Sequence, residues 1–356
     1  MKHKSKLITA LPVFLALTFP ASSIGAASGE EPPWLQCEKI ERHQQLDCYT
    51  QATKRYRADR EQAASTPASD AVAVADTAGP DYDWKLDRLW PVGSELAEAK
   101  ALAGVLLQYR GNYLMLDSVH SPSSSPYSPN VLNQVPQSGS LTSAELKLQV
   151  SLKSQLPIVW PWGDSVWIAY TQQSQWQAFN KRDSRPFRET NYEPELIYLS
   201  RRFDDKVPTF GAWTPRVLNL TYVHQSNGQA LPRSRSWNRF TAQFGSEYRF
   251  DDNDDRRLTL MLRPWWRVPD RNNDDNPDIV KYLGHGDITL DYWRGRQQFS
   301  LLLRERAFQL SWAFPLYEPA LNSANLYLQY FSGYGHSLID YNHKLDSFGL
   351  GISLPF

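Results

Sequence analysis

From about Arg110 to the C-terminus, apolar and polar side chains alternate with a period of two residues. In residues 145–152 every second side chain is Leu or Val, and residues 258–263 and 348–356 repeat the pattern. A period of two places successive side chains on opposite faces of a strand, so each segment predicts a β-strand with one apolar face. The alternation limits this part of the chain to an all-β fold. It fits a transmembrane barrel and a soluble sandwich equally well.

The N-terminus indicates the compartment. Three lysines within the first six residues precede the apolar run 7–19, and small residues follow through Ser28. This order is typical of a secretory signal peptide, which we assign to residues 1–27. A retained membrane helix is the alternative, but the apolar run is short for a membrane span. The two cysteines of the sequence, Cys37 and Cys48, are compatible with a disulfide in an exported protein.

Composition favours the barrel over the sandwich. The chain contains 13 Trp, 18 Tyr and 15 Phe residues, and aromatic belts are characteristic of outer-membrane barrels. The terminal Phe356 points the same way, since such barrels commonly end in this residue. Lys and Arg together number 38, as do Asp and Glu, so the zero net charge argues against a nucleic-acid partner. We therefore expect an all-β, antiparallel transmembrane barrel in the cell outer membrane.

We predict about twelve strands, an even number that places both ends of the barrel sequence on the periplasmic side. The long, turn-rich connections 120–142 and 269–280 are then extracellular loops. The expected strands span residues 111–119, 144–157, 164–179, 190–203, 214–227, 236–250, 257–268, 281–293, 296–304, 307–316, 324–334 and 347–356.

The segment before the barrel has a different composition. Residues 29 to about 80 are polar and rich in Ala and Ser, which predicts a mobile periplasmic segment. Residues 94–107 carry apolar side chains at helical spacing and predict a short helix. We therefore divide the chain into a signal peptide (1–27), a partly disordered periplasmic extension (28–107) and an outer-membrane barrel (108–356).

The fifth and sixth predicted strands carry the residues that could take part in catalysis. His224 and Ser226 continue the apolar face of the fifth strand, and Asn238 continues that of the sixth. A pairing in which residue numbers sum to 462 sets His224 opposite Asn238, about 5 Å apart. Polar residues at this point could simply mark where the strands leave the membrane. The matching parity of all three favours a functional group.

This hairpin resembles the outer membrane phospholipase A family. The resemblance rests on His224-Gln225-Ser226-Asn227-Gly228 and Ser234-Arg235-Ser236-Trp237-Asn238, and it extends over about residues 108–356. Further matching segments lie at residues 170–172, 186–194, 274–279 and 332–342. The connection 120–142 and the segment 29–107 are longer than the resemblance leads us to expect.

The resemblance implies a serine-hydrolase mechanism. Ser226 would be the nucleophile, His224 the general base, Asn238 the residue that orients the imidazole, and the Gly228 N–H an oxyanion donor. A neutral Asn cannot stabilise an imidazolium as a carboxylate does. In the family, calcium compensates by stabilising the oxyanion through bound water.

The resemblance also implies a calcium site shared between two subunits of a reversible homodimer. Its ligands would be the backbone carbonyls of Gln229 and Ser234 and the Ser184 hydroxyl of the neighbouring subunit, all oxygen donors that suit calcium. Ser184 could equally be an ordinary loop serine. Gln172, on an outward apolar face, would contribute to dimerisation, or it could reach the membrane interface as an isolated amide.

The implied function is calcium-dependent hydrolysis of phospholipid acyl esters of the A1, A2 and lysophospholipase types, at a site in contact with outer-membrane lipid. The rival interpretation is a non-enzymatic porin. In that case the protein would conduct, and His224 and Ser226 would be dispensable. Charged inward residues such as Glu193 and Arg263 could equally form a salt-bridged plug, so the sequence leaves a pore open.

Overall fold

The computed structural model describes residues 48, 51, 84–91, 103–137, 139–159, 165–202, 209–250, 255–270, 273–316 and 324–355. The chain divides into two compact units, Met1–Gly79 and Pro80–Phe356. The predicted signal peptide and the terminal Phe356 lie outside the described residues, as does Cys37. Cys48 is disulfide-bonded. Among the described residues, no helix has the length and apolar character needed to cross a membrane.

The second unit contains a closed antiparallel barrel of twelve strands, as predicted. Each strand pairs with its neighbours in the sequence, and the last strand pairs with the first long one through Ser353↔Tyr113. A thirteenth, two-residue strand pairs with the second long strand at Leu107↔Lys153. The strands are β1 (Leu107–Gln108), β2 (Tyr113–His120), β3 (Ala144–Val159), β4 (Ser165–Trp176), β5 (Phe187–Arg202), β6 (Trp213–Ser226), β7 (Ser236–Arg249), β8 (Arg256–Val268), β9 (Gly286–Arg294), β10 (Gln297–Arg304), β11 (Ala307–Pro315), β12 (Asn325–Gly333) and β13 (Leu345–Ser353).

The alternation in the sequence places successive side chains on the inner and the outer face of the barrel. In β2, buried and exposed residues alternate without exception. Leu114 and Leu116 point outward, whereas Met115 and Asp117 point into the barrel. Apolar side chains thus form the outer surface, and the interior is polar. This is the arrangement that a lipid environment requires of a membrane barrel.

Two short helices and a turn accompany the barrel. They are α1 (Lys85–Leu89), α2 (Ile279–Leu283) and a 3₁₀ turn at Val131–Asn133. The end of the barrel where β2 begins and β13 ends is the periplasmic end, and the opposite end carries the longer loops. The candidate site and α2 lie at the extracellular end.

Two details of the predicted elements were wrong. The eighth strand does not begin at residue 281, because α2 occupies Ile279–Leu283 and Gly284, at φ 75°, ends it. The apolar residues of α2 pack against Trp237 and Trp265, so they follow helical rather than strand packing. The predicted helix at 94–107 lies outside the described residues up to 102, and its last residues are not helical. Gly104 turns there at φ 83°, and Leu107 joins β1.

The helix α1 lies inside the periplasmic end of the barrel. The Glu247 carboxylate accepts hydrogen bonds from the backbone N–H groups of Lys85 (3.2 Å) and Leu86 (3.0 Å), and the Lys153 ammonium donates to the Leu89 carbonyl. Wall residues therefore satisfy both ends of the helix, which an isolated short helix would leave unpaired. The barrel unit thus includes residues ahead of the first strand, and the predicted domain boundary near 108 stays a prediction.

Candidate active site

The β6–β7 hairpin places the predicted residues in register. His224 pairs with Asn238 and Ser226 pairs with Ser236, which confirms the predicted pairing. The pairing follows from the parity of the two strands, since a slip of one residue would turn every side chain to the other face. Further along the same outward face lie Tyr222 and Phe240, with 40% and 55% of their surfaces exposed. The candidate site therefore adjoins the apolar outer belt.

A chain of hydrogen bonds fixes the imidazole. The Asn238 Oδ1 atom lies 2.8 Å from His224 Nδ1 and accepts a hydrogen bond from the Tyr222 hydroxyl at 3.0 Å. The Asn238 amide nitrogen faces the Asp270 carboxylate at 3.5 Å, so the oxygen must face His224. An accepting oxygen requires a protonated Nδ1, which leaves Nε2 of a neutral His224 free to accept a proton.

Ser226 lies two residues beyond His224 on the same face of β6 and pairs across the sheet with Tyr192 of β5. Within the described residues no hydrogen bond joins the Ser226 hydroxyl to the His224 ring. A hydrogen bond between nucleophile and base is often long before substrate binds, so the spacing is compatible with catalysis. The arrangement can perform nucleophilic attack on a carbonyl once the two side chains come into contact.

The loop 227–235 has a defined conformation. The Asn227 side chain accepts hydrogen bonds from the backbone N–H groups of Arg235 (3.0 Å) and Gln229 (3.3 Å) and donates to the Arg233 carbonyl at 2.8 Å. Gly228 has φ 61°, and a Cβ there would lie 3.1 Å from the Tyr192 ring. Glycine suits this position on both counts. Its N–H donates to no described residue, so it is available to an oxyanion.

The two carbonyls predicted to bind calcium lie in this loop. The Ser234 carbonyl accepts from Asn133 Nδ2 at 2.8 Å and from the Arg235 guanidinium at 2.7 Å, and the Ser234 hydroxyl donates to Asp275 at 2.6 Å. Among the described residues no three His, Cys, Asp or Glu side chains form a metal cluster. The oxygen donors and the adjacent carboxylate fit calcium in type. The Ser234 carbonyl would have to exchange a donor for the ion.

The remaining predicted residues lie on β4 and the turn that follows it. Gln172 is on the outward face, where its amide oxygen accepts from the Tyr170 hydroxyl at 3.1 Å. Ser184 is exposed, with φ 60°, in the turn between β4 and β5 at the extracellular end. Within the described residues no hydrogen bond joins Ser184 to the loop 227–235, and its predicted role across a subunit interface stays a prediction.

Sequence reasoning missed several residues that contact the site. Asp270 and Asp275 belong to the predicted extracellular loop 269–280, and Asn133 belongs to the long β2–β3 connection. Glu189 on β5 contacts Asn227 from inside the barrel. The segments that contain Glu189 and Asp275 were among those that carried the family resemblance. Asp270 and Asn133 gave no local signal.

Comparison with known proteins identifies relatives of the same family and fold. A model of the Phospholipase A1 family matches residues 92–354. The phospholipase A1 of Escherichia coli K12 is 36% identical over 218 residues, covering 59% of this chain and 69% of that protein. The outer membrane phospholipase of Salmonella typhi, a crystal structure of a dimer with bound calcium, superposes with a TM-score of 0.58 at 30% identity, covering 70% of this chain and 92% of that one. Outer membrane phospholipase A from Escherichia coli superposes with a TM-score of 0.58 at 31% identity, again covering 70% of this chain and 92% of that one.

The barrel fold and these relatives define an outer-membrane enzyme that hydrolyses phospholipid esters. The chain belongs to the phospholipase A1 family. This confirms the predicted family, fold class and location in the outer membrane.

Proposed function

We propose that this phospholipase is a calcium-dependent serine hydrolase with Ser226 as nucleophile, His224 as general base and Asn238 as the residue that orients the base. The observation that carries the proposal is the 2.8 Å contact between His224 Nδ1 and Asn238 Oδ1, on the face of β6 that also bears Ser226. The relatives named phospholipase A1 support phospholipids as the class of substrate.

The reaction follows from these groups. His224 Nε2 accepts the Ser226 proton as the hydroxyl oxygen attacks the ester carbonyl, and the Gly228 N–H stabilises the developing oxyanion. The imidazolium then returns its proton to the leaving glycerol oxygen, which gives an acyl-enzyme that water hydrolyses by the same steps. Asn238 Oδ1 holds the His224 ring throughout, and the Tyr222 hydroxyl, which donates to the same oxygen, holds Asn238 in place.

Calcium, when bound, would supply positive charge for the oxyanion that a neutral Asn triad lacks. The Gln229 and Ser234 carbonyls and the Ser184 hydroxyl of a second subunit would hold it, with Gln172 in the interface of a reversible homodimer. The Salmonella typhi relative, a dimer with bound calcium, supports this assembly. We further propose that the enzyme cleaves both acyl positions and lysophospholipids, since His224 and Ser226 lie on the outward face of the barrel beside the exposed Tyr222 and Phe240, where lipid can approach.

The test is hydrolysis of phospholipids acylated with distinguishable chains at the two positions, with their lysophospholipids assayed in parallel. Activity against all three, lost in Ser226→Ala, would support the proposal. Activity that survives in Ser226→Ala would overturn the nucleophile assignment, and cleavage at a single position would restrict the enzyme to one type.

A further inference from the structure

Glu189 is a fully buried carboxylate that the mechanism above does not use. It lies near the extracellular start of β5 and points into the barrel, on the opposite side of the wall from His224 and Ser226. Its two oxygens accept four hydrogen bonds. Oε1 accepts from Asn191 Nδ2 at 2.7 Å and from the Ile339 backbone N–H at 3.1 Å. Oε2 accepts from Gln229 Nε2 at 3.0 Å and from Asn227 Nδ2 at 3.3 Å.

Two of these donors belong to the loop that carries the candidate oxyanion donor. Asn227 follows Ser226 directly, and Gly228 stands between the two residues that Glu189 holds. Asn227 cannot turn its amide around, because its oxygen already accepts from two backbone N–H groups of the loop. Glu189 therefore anchors the segment 227–229 to β5 on one side and to the turn at Ile339 on the other.

We propose that Glu189 is a positioning residue that holds the Gly228 N–H and the Ser226 backbone in their catalytic orientation. It does so through Asn227 and Gln229 and does not touch the substrate. The inference rests on the proposed function, since it assigns Glu189 a role in that reaction.

The geometry requires a carboxylate at this position, and a neutral side chain of the same size does not suffice. In Glu189→Gln one oxygen becomes an NH₂ group of nearly the same shape. The Ile339 N–H is a backbone donor and keeps the remaining oxygen. The new NH₂ group then faces Asn227 Nδ2, and two donors oppose each other in a buried place. The loop must shift, and a displacement of about 1 Å near a reacting centre can cost about 100-fold in rate.

The test compares Glu189→Gln with Glu195→Gln. Glu195 is a buried carboxylate on the same strand and face, but it contacts Tyr109 and Arg110 at 3.1 and 2.6 Å, away from the loop. In Glu195→Gln, Arg110 keeps its 2.8 Å ion pair with Glu193. We expect kcat to fall about 10- to 100-fold in Glu189→Gln with KM nearly unchanged, and both constants to stay near wild type in Glu195→Gln.

A double-mutant cycle separates positioning from general damage to the barrel. If Glu189 acts through Asn227, Asn227→Ala, which also removes three bonds within the loop, should lower kcat at least as much, and adding Glu189→Gln should change it little further. Multiplied losses in the double variant would overturn the inference, as would an equal loss in Glu195→Gln. Should Glu189→Gln fail to fold, Asn227→Ala cuts the same link from the loop side, and full kcat there would contradict the inference.

Ser226→Ala, assayed in parallel, distinguishes a failure of the proposed function from a failure of the inference about Glu189. Undiminished hydrolysis by Ser226→Ala would overturn the proposed function and the role of Glu189 with it. An inactive Ser226→Ala beside a fully active Glu189→Gln would overturn the inference about Glu189 alone.

Discussion

At the periplasmic end of the barrel, aromatic and aliphatic side chains close the interior around α1, whereas at the extracellular end amides, hydroxyls and carboxylates hold the loop 227–235. Trp90 packs edge-on against Trp167 at 5.9 Å in the first region. In the second, Asn227 alone makes hydrogen bonds to Gln229, Arg233, Arg235 and Glu189. The first region is built for burial, and the second for directing backbone groups.

The two ends of the barrel contribute differently to stability and to activity. Burial of apolar surface is non-directional, so the packing around α1 contributes mainly to the free energy of unfolding, as do the hydrogen bonds of Glu247 and Lys153 to the ends of that helix. Hydrogen bonds are directional, so the extracellular end fixes orientation. The occupied periplasmic end also weighs against the porin interpretation. We therefore expect variants at the two ends to separate stability from catalysis.

The largest effect should come from Ser226→Ala and His224→Ala. Each removes a group that takes part in bond making, and loss of a triad member commonly costs 1,000-fold or more in kcat, roughly speaking. Both residues lie near a strand end and are only partly buried, so the urea midpoint of unfolding should stay near wild type. Hydrolysis rates and unfolding curves measured on one preparation check this. A large fall in stability would contradict the separation.

The opposite behaviour is expected of Asp87→Asn at the periplasmic end. Asp87 is buried and bonded to the equally buried Arg216, with Arg216 Nε 3.1 Å from Asp87 Oδ1. Removing one partner of a buried ion pair costs about 3–5 kcal/mol of unfolding free energy. Activity per folded molecule should not change. Arg88→Ala, at an exposed position of the same helix, is the comparison variant and should cost less unfolding free energy than Asp87→Asn.

A smaller loss of activity should follow from Asn238→Ala. The variant removes the acceptor that orients His224, but an imidazole without it still samples the productive orientation. We expect kcat to fall about 10- to 100-fold, which corresponds to about 1.4–2.7 kcal/mol of transition-state stabilisation. A loss as complete as that of Ser226→Ala would show that Asn238 does more than orient the base.

The smallest effect concerns pH and His336, in the loop after β12. Burial lowers the pKa of His336 and the nearby Lys147 ammonium lowers it further, while Asp117 opposes them. The unfolded chain then binds the proton more readily, so this contribution to stability is complete above a pH of about 6.5 and is lost as the pH falls below it. His336→Gln should flatten the fall in unfolding free energy between about pH 7.5 and 5, which urea titrations can measure. His120→Gln, at an exposed histidine, is the matched control variant.

The sequence was sufficient for the barrel and for the register of the hairpin that carries the candidate site. A period of two determines which side chains face the membrane, and the same parity on β6 and β7 determined that His224 lies opposite Asn238. These are local patterns, and they survive into the fold unchanged. The capture of α1 was not predictable, because Leu86 and Glu247 are 161 residues apart and no periodicity links them.

The same reason explains the residues that were missed around the site. Asn133 reaches the Ser234 carbonyl from a loop 101 residues away, and Asp270 reaches Asn238 from the predicted extracellular loop 269–280. Each lies in an irregular connection, where no pattern of alternation fixes the direction of a side chain. Glu189 sits on a strand whose inward face is rich in carboxylates, so parity alone could not single it out.

The central claim is that one calcium-dependent site on the outer face of this barrel hydrolyses phospholipid esters, and a calcium titration of the refolded enzyme tests it most directly. Hydrolysis and the dimer fraction, by sedimentation in detergent, are measured on the same samples with excess chelator as the baseline. If the ion is shared between subunits, activity and dimer fraction should rise together, and Ser184→Ala should shift both curves to higher calcium. Full hydrolysis in excess chelator, or a dimer fraction that ignores calcium, would contradict the account.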